Sequence, residues 1–215
     1  MTEEEKIKAG VLFCPADPAL KAVKQRAHGL NMEYNATREE ESEKRAAILR
    51  ELLGDVGKGC FFQGPITFHY GIHTRVGKNG FFNFNLTVQD DAEVTIGERC
   101  NFGPNVTIVT PLHPMLADER RELLCADGVK RRLCYAKPVR IGSDCWLGAN
   151  VVVCPGVTIG DGCVIGAGSV VVKSIPAGTF AAGNPCRVIR VLGEADSVFA
   201  HPDILGPYFI KEDTE

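Results

Sequence analysis

The 215-residue chain lacks the apolar and cationic features that mark several classes of protein. No uninterrupted apolar run approaches the roughly 20 residues that a helix needs to cross a bilayer, so we expect no membrane partner. The formal net charge is -3, which excludes the general basic surface used for bulk nucleic-acid binding. The first ten residues are acidic, whereas a secretory signal begins with a basic region followed by an apolar one.

The chain also lacks the paired cysteine spacing of metal and redox motifs. It has nine cysteines, an odd number, and no two of them are separated by only two residues. An odd set without such pairs is typical of reduced thiols in the cytosol rather than of a secreted disulfide framework. With 45% hydrophobic and 24% charged residues, the sequence therefore predicts a globular, cytoplasmic protein.

Residues 1–58 are predicted to form an N-terminal helical segment. The sequence Asp17-Pro18 has the pattern of a helix N-cap followed by proline in the first turn, and this helix should run to about Tyr34. Gly54 is placed to end a later helix. The spacing of a capping box occurs twice, at Thr2 with Glu5 and at Thr37 with Glu40.

Residues 59–190 repeat with a period of six. This period fits neither the 3.6 residues of a helical turn nor the alternation of a half-buried strand. It fits a strand of about four residues closed by a two-residue corner, and three such sides make one 18-residue coil of a triangular solenoid. We therefore predict a mainly β fold, a parallel β-helix with inward-facing apolar residues. The repeating positions are Val76, Phe82 and Val88; Ile96, Phe102 and Ile108; and Ile141, Leu147, Val153, Ile159, Ile165 and Val171.

The repeat is interrupted twice. The step from Val88 to Ile96 is eight, which indicates an insertion near residues 90–91, and the rhythm is lost entirely over residues 109–138. A long insertion in a regular scaffold is usually a functional loop, so we expect this one to project from a corner. It contains His113, which the following proline holds in an extended conformation. Residues 191–215 are expected to form a mixed tail.

Three cysteines lie in the frame of the repeat. Cys100, Cys145 and Cys163 each follow an apolar repeat position by four residues, so they should stack inside the solenoid. A disulfide is possible on distance alone. Small apolar side chains that fill a narrow interior are the favoured interpretation.

Several long segments resemble the galactoside and maltose O-acetyltransferases, a family of hexapeptide-repeat acyltransferases. They cover the chain from about residue 6 to residue 190 and include the leader, the coils and the His-Pro loop. The resemblance implies a left-handed winding, which periodicity alone does not establish. It also implies a homotrimer with active sites between neighbouring subunits. The segments are AGVLF, FFNFNLTVQDDAEVTIGERCNFGPNVTIVTPLHP, CWLGANVVVCPGVTIGDGCVIGAGSVV and IPAGTFAAGNPCRVIR.

The same resemblance implies a direct transfer of the acetyl group from acetyl-CoA to a sugar hydroxyl, with no metal requirement. His113 matches the general base, and the backbone N–H of Ala149 matches the donor to the oxyanion. Trp146 could flank the transfer site or only cover an outer face. The acceptor positions are His69, Asn83, Asp91 and Asp17, the last as a substitute for a leader aspartate whose aligned position is occupied by Pro15. The matching acetyl-CoA positions are Trp146, Ala149, Ala167, Val172, Lys173, Arg187 and Arg190.

Two acceptor positions and two other functions remain open. The galactoside enzyme has a serine where this chain has His69, and Asp17 could serve only as a helix cap. A γ-type carbonic anhydrase is a second interpretation, although its zinc needs three converging histidines and this region offers only His69, His73 and His113. The third interpretation is an inactive binding scaffold on the same fold.

Overall fold

The computed structural model of the protein describes residues 1–205 and Phe209, so the predicted tail lies partly outside the described residues. Its helices are α1 (Glu3–Lys8), α2 (Pro18–Asn35), α3 (Ser42–Leu52), α4 (Ala117–Arg121) and α5 (Pro202–Leu205), with 3₁₀ turns at Glu194–Asp196 and Val198–Ala200. In residues 1–205, none of the helices combines the length and the apolar character that a membrane span requires.

The strands are short and follow one another in sets of three along most of the chain. The first three coils contain β1 (Asp55–Val56), β2 (Phe61–Phe62), β3 (Ile66–Phe68), β4 (Thr74–Val76), β5 (Phe81–Phe82), β6 (Leu86–Gln89), β7 (Val94–Ile96), β8 (Asn101–Phe102) and β9 (Thr107–Val109). The inserted loop contains β10 (Pro111–Leu112), β11 (Leu123–Leu124), β12 (Lys130–Arg131) and β13 (Tyr135–Ala136). The later coils contain β14 (Val139–Ile141), β15 (Trp146–Leu147), β16 (Val152–Val153), β17 (Thr158–Ile159), β18 (Val164–Ile165), β19 (Val170–Val171), β20 (Thr179–Ala182) and β21 (Arg187–Val191).

The coils stack into a three-sided parallel solenoid, as predicted. The first face orders its strands β1-β4-β7-β14-β17, the second β2-β5-β8-β15-β18-β20-β21, and the third β3-β6-β9-β16-β19. All neighbours within a face are parallel except β21, which folds back on β20. The register joins residues one coil apart: Ile96 pairs with Val76 and Ile141, and Leu147 pairs with Phe102 and Ile165. These side chains are all buried and form the core of the solenoid.

The leader confirms two of the three predicted helix starts. The backbone N–H of Glu5 donates to Thr2 Oγ1 over 3.1 Å and that of Thr2 donates to Glu5 Oε2 over 2.8 Å, which is the capping box. Asp17 caps α2 by accepting from the N–H of Ala19 over 2.9 Å. The second box is wrong, because α3 begins only at Ser42. The Thr37 hydroxyl instead donates to the carbonyl of Tyr34 over 2.6 Å, at the end of α2.

Helix α2 closes the open edge of the first coil. An unpaired strand edge exposes a row of N–H and C=O groups that must find other partners. The side chain of Asn31 pairs with both backbone groups of Phe68, and that of Asn35 pairs with both backbone groups of Ile66, over 2.7–2.9 Å. Arg45 of α3 donates to the next carbonyls, Phe62 and Gln63. Side-chain amides therefore replace the missing strand.

The interior column of cysteines contains free thiols. Cys100, Cys145 and Cys163 are buried, and all nine cysteines of the chain are unpaired. Each of the three donates to a carbonyl of the next coil over 3.1 Å, as does Cys60 over 2.9 Å in the first coil. These small thiol side chains fill the narrow interior of the solenoid, and no disulfide joins them.

The departures from the six-residue step all fall at one corner, where the third face passes to the first face of the next coil. We call this the expanded corner. The step is eight from Phe68 to Val76 and eight again from Val88 to Ile96, and residues 109–138 leave the solenoid at the same corner of the third coil. The N-terminal leader joins it, because Phe13 forms an antiparallel bridge with Cys134 of the inserted loop. Leader, loop and corner share a second small core.

Candidate active site

Two regions of the chain combine functional groups, and the first is the expanded corner. Asp90 is fully buried there and organises the turn, since its carboxylate accepts from the N–H of Tyr70 over 2.8 Å and from Thr74 Oγ1 over 2.9 Å. Burial raises the pKa of Asp90 above its usual range. His73 closes the turn from the other side, with its Nδ1 2.7 Å from the carbonyl of Asp90.

Asp91 is the least satisfied acid of this corner. Its side chain is only 5% exposed, yet its carboxylate accepts no side-chain or backbone hydrogen bond from another described residue. Burial, followed by the neighbouring charge of Asp90, raises the pKa of Asp91 to about 6. A carboxylate without a donor from the described residues can accept hydrogen bonds from water or from the hydroxyl groups of a ligand.

A pair of imidazoles lies at the same corner of the solenoid. His69 Nδ1 is 3.4 Å from His28 Nε2, and the His69 ring packs edge-on against Tyr70. Burial, together with the charge of Lys24 and the neighbouring His28, lowers the pKa of His69 to about 4. His69 is therefore neutral at physiological pH, with one ring nitrogen as donor and the other as acceptor.

His113 stands at the base of the inserted loop. It follows β10, whose Leu112 pairs with Tyr135 of β13, so the antiparallel pairing fixes where the loop leaves the solenoid. The imidazole is exposed and forms no hydrogen bond within residues 1–205. The neighbouring Cys134 is buried, and burial raises the pKa of its thiol to about 12. Cys134 packs in the small core that the leader, the loop and the corner share.

The second region is a groove along the later coils, at the corner between the second and third faces. The groove has a volume of about 920 Å³. A Cβ atom on Gly103 would lie 2.7 Å from the nitrogen of Ala149, and one on Gly148 would lie 2.7 Å from the nitrogen of Ala167. Only glycine permits this approach of one coil to the next. The lining includes Trp146, Ala149, Ala167, Phe180, Arg190 and Asp196.

Two backbone donors in the groove, the N–H groups of Ala149 and Ala167, have no partner among the described residues. The N–H groups of Gly148 and Asn150 donate to carbonyls over 2.8 and 2.9 Å, but the N–H of Ala149 between them donates to no described residue. At the far end of the groove Arg190 is paired with Asp196 and lies 5.6 Å from the centre of the Phe180 ring. The groove therefore offers an apolar wall, two free amides and a guanidinium at its end.

Comparison with known proteins decides the family. Residues 6–57 match the family model described as a maltose acetyltransferase hexapeptide capping motif, and residues 138–173 match the bacterial transferase hexapeptide model with six repeats. A galactoside O-acetyltransferase of Escherichia coli (strain K12) is 39% identical over 203 residues, which is 94% of this chain and 96% of that protein. This chain belongs to the galactoside and maltose O-acetyltransferase family.

Solved structures of the family extend the match to three dimensions. A maltose O-acetyltransferase from Clostridium difficile 630 superposes with a TM-score of 0.83 and 41% identity, over 90% of this chain and 99% of that one. A galactoside acetyltransferase in complex with coenzyme A gives 0.79 and 36%, over 100% and 99%. The predicted left-handed parallel β-helix and the assignment as an acyltransferase are confirmed.

The family's predicted acetyl-CoA positions fall into two groups in one chain. Trp146, Ala149, Ala167 and Arg190 line the groove. The remaining three, Val172, Lys173 and Arg187, are exposed outside it. The first two of these follow β19 at the opposite end of the third face, and the guanidinium of Arg187 donates to the carbonyl of Cys186 over 2.8 Å.

The predicted acceptor positions are similarly divided. His69 and Asp91 both lie at the expanded corner: His69 packs against Tyr70, and the N–H of Tyr70 donates to Asp90, the residue before Asp91. Asn83 lies at the groove corner of the second coil, and its side chain accepts from the N–H of Phe84 over 2.8 Å. Asp17 caps α2 and lines a separate cavity of about 640 Å³ between leader and loop.

Sequence reasoning missed four members of the expanded corner. Lys24 and His28 lie one turn apart on α2, so their common face could have been found from the helical period. Asp90 precedes Asp91 in the same insertion, and Tyr70 lies in the earlier, unnoticed eight-residue step. Nothing in the sequence pattern signals that α2 brings its face to this corner.

The histidines named for the zinc alternative make separate contacts within one chain. Within the described part of the chain, no three His, Cys, Asp or Glu side chains converge where they could hold a metal ion. His69 contacts His28, whereas His73 contacts the Asp90 carbonyl and the carboxylate of Glu4. The zinc interpretation therefore gains no observation in its favour.

Proposed function

We propose that this protein transfers an acetyl group directly from acetyl-CoA to a hydroxyl of a small sugar, in the cytoplasm. The observation that carries the proposal is the free N–H of Ala149 at the floor of the groove. Acyl transfer passes through a tetrahedral intermediate with negative charge on the former carbonyl oxygen. An unengaged amide held by two neighbouring coils is suited to stabilise that charge without reorganisation.

The groove matches the shape of the acyl donor. Its volume of about 920 Å³ and its narrow, glycine-lined floor suit an extended arm, with Ala149 and Ala167 leaving room between the coils. Trp146 is 57% exposed and forms an apolar wall beside the thioester end. Arg190 would meet phosphate groups, Arg187 would add charge from outside the groove, and Lys173 would contribute its charge from a second copy. Val172 contributes apolar contact only.

His113 supplies the base in this proposal. An alcohol is a weak nucleophile at neutral pH, so its proton must be removed as it attacks. The imidazole accepts this proton and then returns it to the departing thiolate of coenzyme A, which leaves the ester and a free thiol as products. The exposed ring at the base of a fixed loop is accessible to a hydroxyl from solvent.

The acceptor sugar would be held by the expanded corner. Asp91 accepts a hydrogen bond from a sugar hydroxyl, and His69 supplies a neutral hydrogen-bonding partner for the same acceptor. We assign Asn83, at the groove corner, and Asp17, in the cavity between leader and loop, to the same acceptor. The identity of the sugar within the maltose, glucose and galactoside types depends on these few hydrogen bonds.

We further propose that the working enzyme is a homotrimer in which each site uses two copies. In one chain His113 and Ala149 lie at opposite corners of the third face, a side of about five residues or roughly 15 Å. Direct transfer needs the base and the thioester within hydrogen-bond reach of the same hydroxyl. A neighbouring prism would bring the groove of one copy against the loop of another, and Val172, Lys173 and Asn83 would then join the site across the same interface.

The experiment is an assay of thiol release from acetyl-CoA with glucose, maltose, thiogalactosides and aminosugars as acceptors. The wild type is expected to release thiol with at least one sugar. His113→Ala should lower kcat by about 10²- to 10⁴-fold, the usual contribution of a general base. His201→Ala, which changes an exposed histidine of the tail, is the matched control. A His113→Ala enzyme with the wild-type rate would exclude His113 as the base.

A further inference from the structure

The imidazole pair at the expanded corner has a geometry that acceptor binding by His69 alone does not require. His28 lies on α2, 41 residues from His69 in sequence, and its exposed ring approaches His69 from the solvent side. The ring centroids are 5.4 Å apart and tilted by 39°, with the nearest nitrogens at 3.4 Å. The contact is therefore nitrogen to nitrogen, at the long end of hydrogen-bond range, rather than a stack of ring faces.

This contact determines which His69 nitrogen remains free. His28 occupies the Nδ1 side, so only Nε2 of His69 is available to another group. The position of the single proton on a neutral imidazole depends on the partner of its other nitrogen. When His28 Nε2–H donates to His69 Nδ1, the proton of His69 lies on Nε2 and points away from α2 as a donor.

The neighbouring Asp91 makes a donor the useful choice. His69 and Asp91 lie at the same corner of adjacent coils, where the N–H of His69 donates to the carbonyl of Val88 over 3.0 Å. The ionised Asp91 can only accept a hydrogen bond, so it accepts one from a sugar hydroxyl, and the oxygen of that hydroxyl then still needs a donor. A donor on His69 would pair with the hydroxyl oxygen while Asp91 accepts from the hydroxyl proton, so both groups of one hydroxyl would have a partner. An acceptor on His69 would leave the oxygen without a donor.

We propose that His28 is a positioning residue for acceptor specificity: it holds the His69 ring and keeps the proton on His69 Nε2, so that His69 and Asp91 together select an uncharged, hydroxyl-bearing acceptor. The proposal rests on the function proposed above. His28 itself need not touch the sugar, because its exposed ring acts through His69.

The test compares His28→Leu, which removes the nitrogen, with His28→Gln, whose side-chain amide can replace the Nε2–H donor. Gln25→Leu, at an exposed position of the same helix, is the matched control. Long-range ¹H–¹⁵N correlation spectra at pH 7.5 report the tautomer of each histidine without turnover. We expect His69 to carry its proton on Nε2 in the wild type and in His28→Gln, and to become a mixture of tautomers in His28→Leu.

Kinetics provide the second measurement. Loss of one neutral hydrogen bond of about 1 kcal/mol corresponds to about a 5-fold rise in KM for the acceptor, with KM for acetyl-CoA unchanged. His28→Gln should restore most of the acceptor KM, and Gln25→Leu should not alter it. An unchanged His69 tautomer or an unchanged acceptor KM in His28→Leu would overturn the inference.

The two proposals fail in different ways. If the wild type acetylates no sugar, the proposed function falls, and titration of the same sugars while the His69 resonances are followed still tests acceptor recognition. Shifts in His69 that require His28 support the inference under those conditions. If no sugar perturbs His69 at all, the inference is also wrong.

Discussion

At the scale of single residues, Asp91, which we propose as an acceptor-binding group, illustrates how such a group can lower stability. The folded chain holds this carboxyl nearly buried, with no donor from another described residue and with Asp90 beside it. The pKa of Asp91 rises from its ordinary value of 3.8 to about 6 for these reasons. A group kept in an unfavourable state before its ligand binds is typical of functional sites.

The stability of Asp91→Asn should depend on pH. Because the folded pKa lies above the unfolded one, the folded state binds more protons between pH 3.8 and about 6, so wild-type stability falls as pH rises through this window. At pH 8 the full cost of the buried charge is present. Asp91→Asn is expected to raise the free energy of unfolding by about 1–3 kcal/mol at pH 8 and by little at pH 4.

Denaturant titrations at pH 4, 6 and 8 and at one protein concentration measure this difference. Asp55→Asn, an exposed aspartate of the first coil, is the control and should show no such trend. We also expect Asp91→Asn to raise the KM for the acceptor. Equal stability of the wild type and Asp91→Asn at pH 8 would show that the carboxyl is better solvated than its burial indicates.

At the scale of elements, α2 has two tasks on its inward side. Its asparagines close the first coil, and Lys24 and His28 reach the expanded corner one or two turns earlier. The hydrogen bonds to Phe68 and Ile66 fix the position of the helix along the strand edge. This position also determines where His28 contacts His69, so closure of the edge and the geometry of the site are coupled.

Asn31→Ala tests the first of these tasks. The change removes the partners of both backbone groups of Phe68, a buried residue, and leaves one donor and one acceptor unsatisfied. Each such group costs about 1–3 kcal/mol, so we expect a loss of about 2–4 kcal/mol in the free energy of unfolding. Met32→Ala, next to it and 74% exposed, should change the stability by less than about 0.5 kcal/mol.

Guanidinium unfolding of the two variants provides the comparison. A loss for Asn31→Ala no greater than that for Met32→Ala would mean that water replaces the amide, and that α2 does not close the edge. A large loss accompanied by a higher acceptor KM would instead link the closure of the first coil to the expanded corner.

At the scale of the whole molecule, the separation of His113 from Ala149 leads to a mixing experiment. His113→Ala removes the proposed base, and Ala167→Trp fills the groove from an exposed position that can accept a larger side chain. Each variant alone should be nearly inactive. The two variants are unfolded, mixed in equal amounts and refolded together. A site between two copies is then active only if one copy supplies His113 and the other supplies an open groove, and each condition is met with a probability of one half.

The mixture should therefore recover about a quarter of the wild-type activity. Chains refolded separately and mixed afterwards are the control, since they cannot exchange subunits before the assay. No recovery above this control would indicate that both components of a site come from one chain. Sedimentation of the refolded samples establishes the oligomeric state in the same experiment.

Much of the fold was accessible from sequence because its information is local. Every side of the solenoid places one apolar residue inward, so a six-residue step and its interruptions at residues 90–91 and 109–138 are visible without any long-range contact. The second capping box, at Thr37, failed for an equally local reason: Thr37 lies two residues after the end of α2 and uses its hydroxyl there. The eight-residue step near Tyr70 precedes the first repeat positions that we identified, so it was not recognised.

The sequence by itself determined the solenoid, the place of the inserted loop and, through family resemblance, the identity of His113, Asp91 and Ala149 as candidates. Tertiary structure alone decided that the insertions share one corner, that α2 brings His28 to His69, and that His113 and the groove flank opposite ends of a face. The physical reason is that apolar spacing specifies which side chains point inward. It does not specify how far one element slides along another, and hydrogen bonds between distant residues set that register.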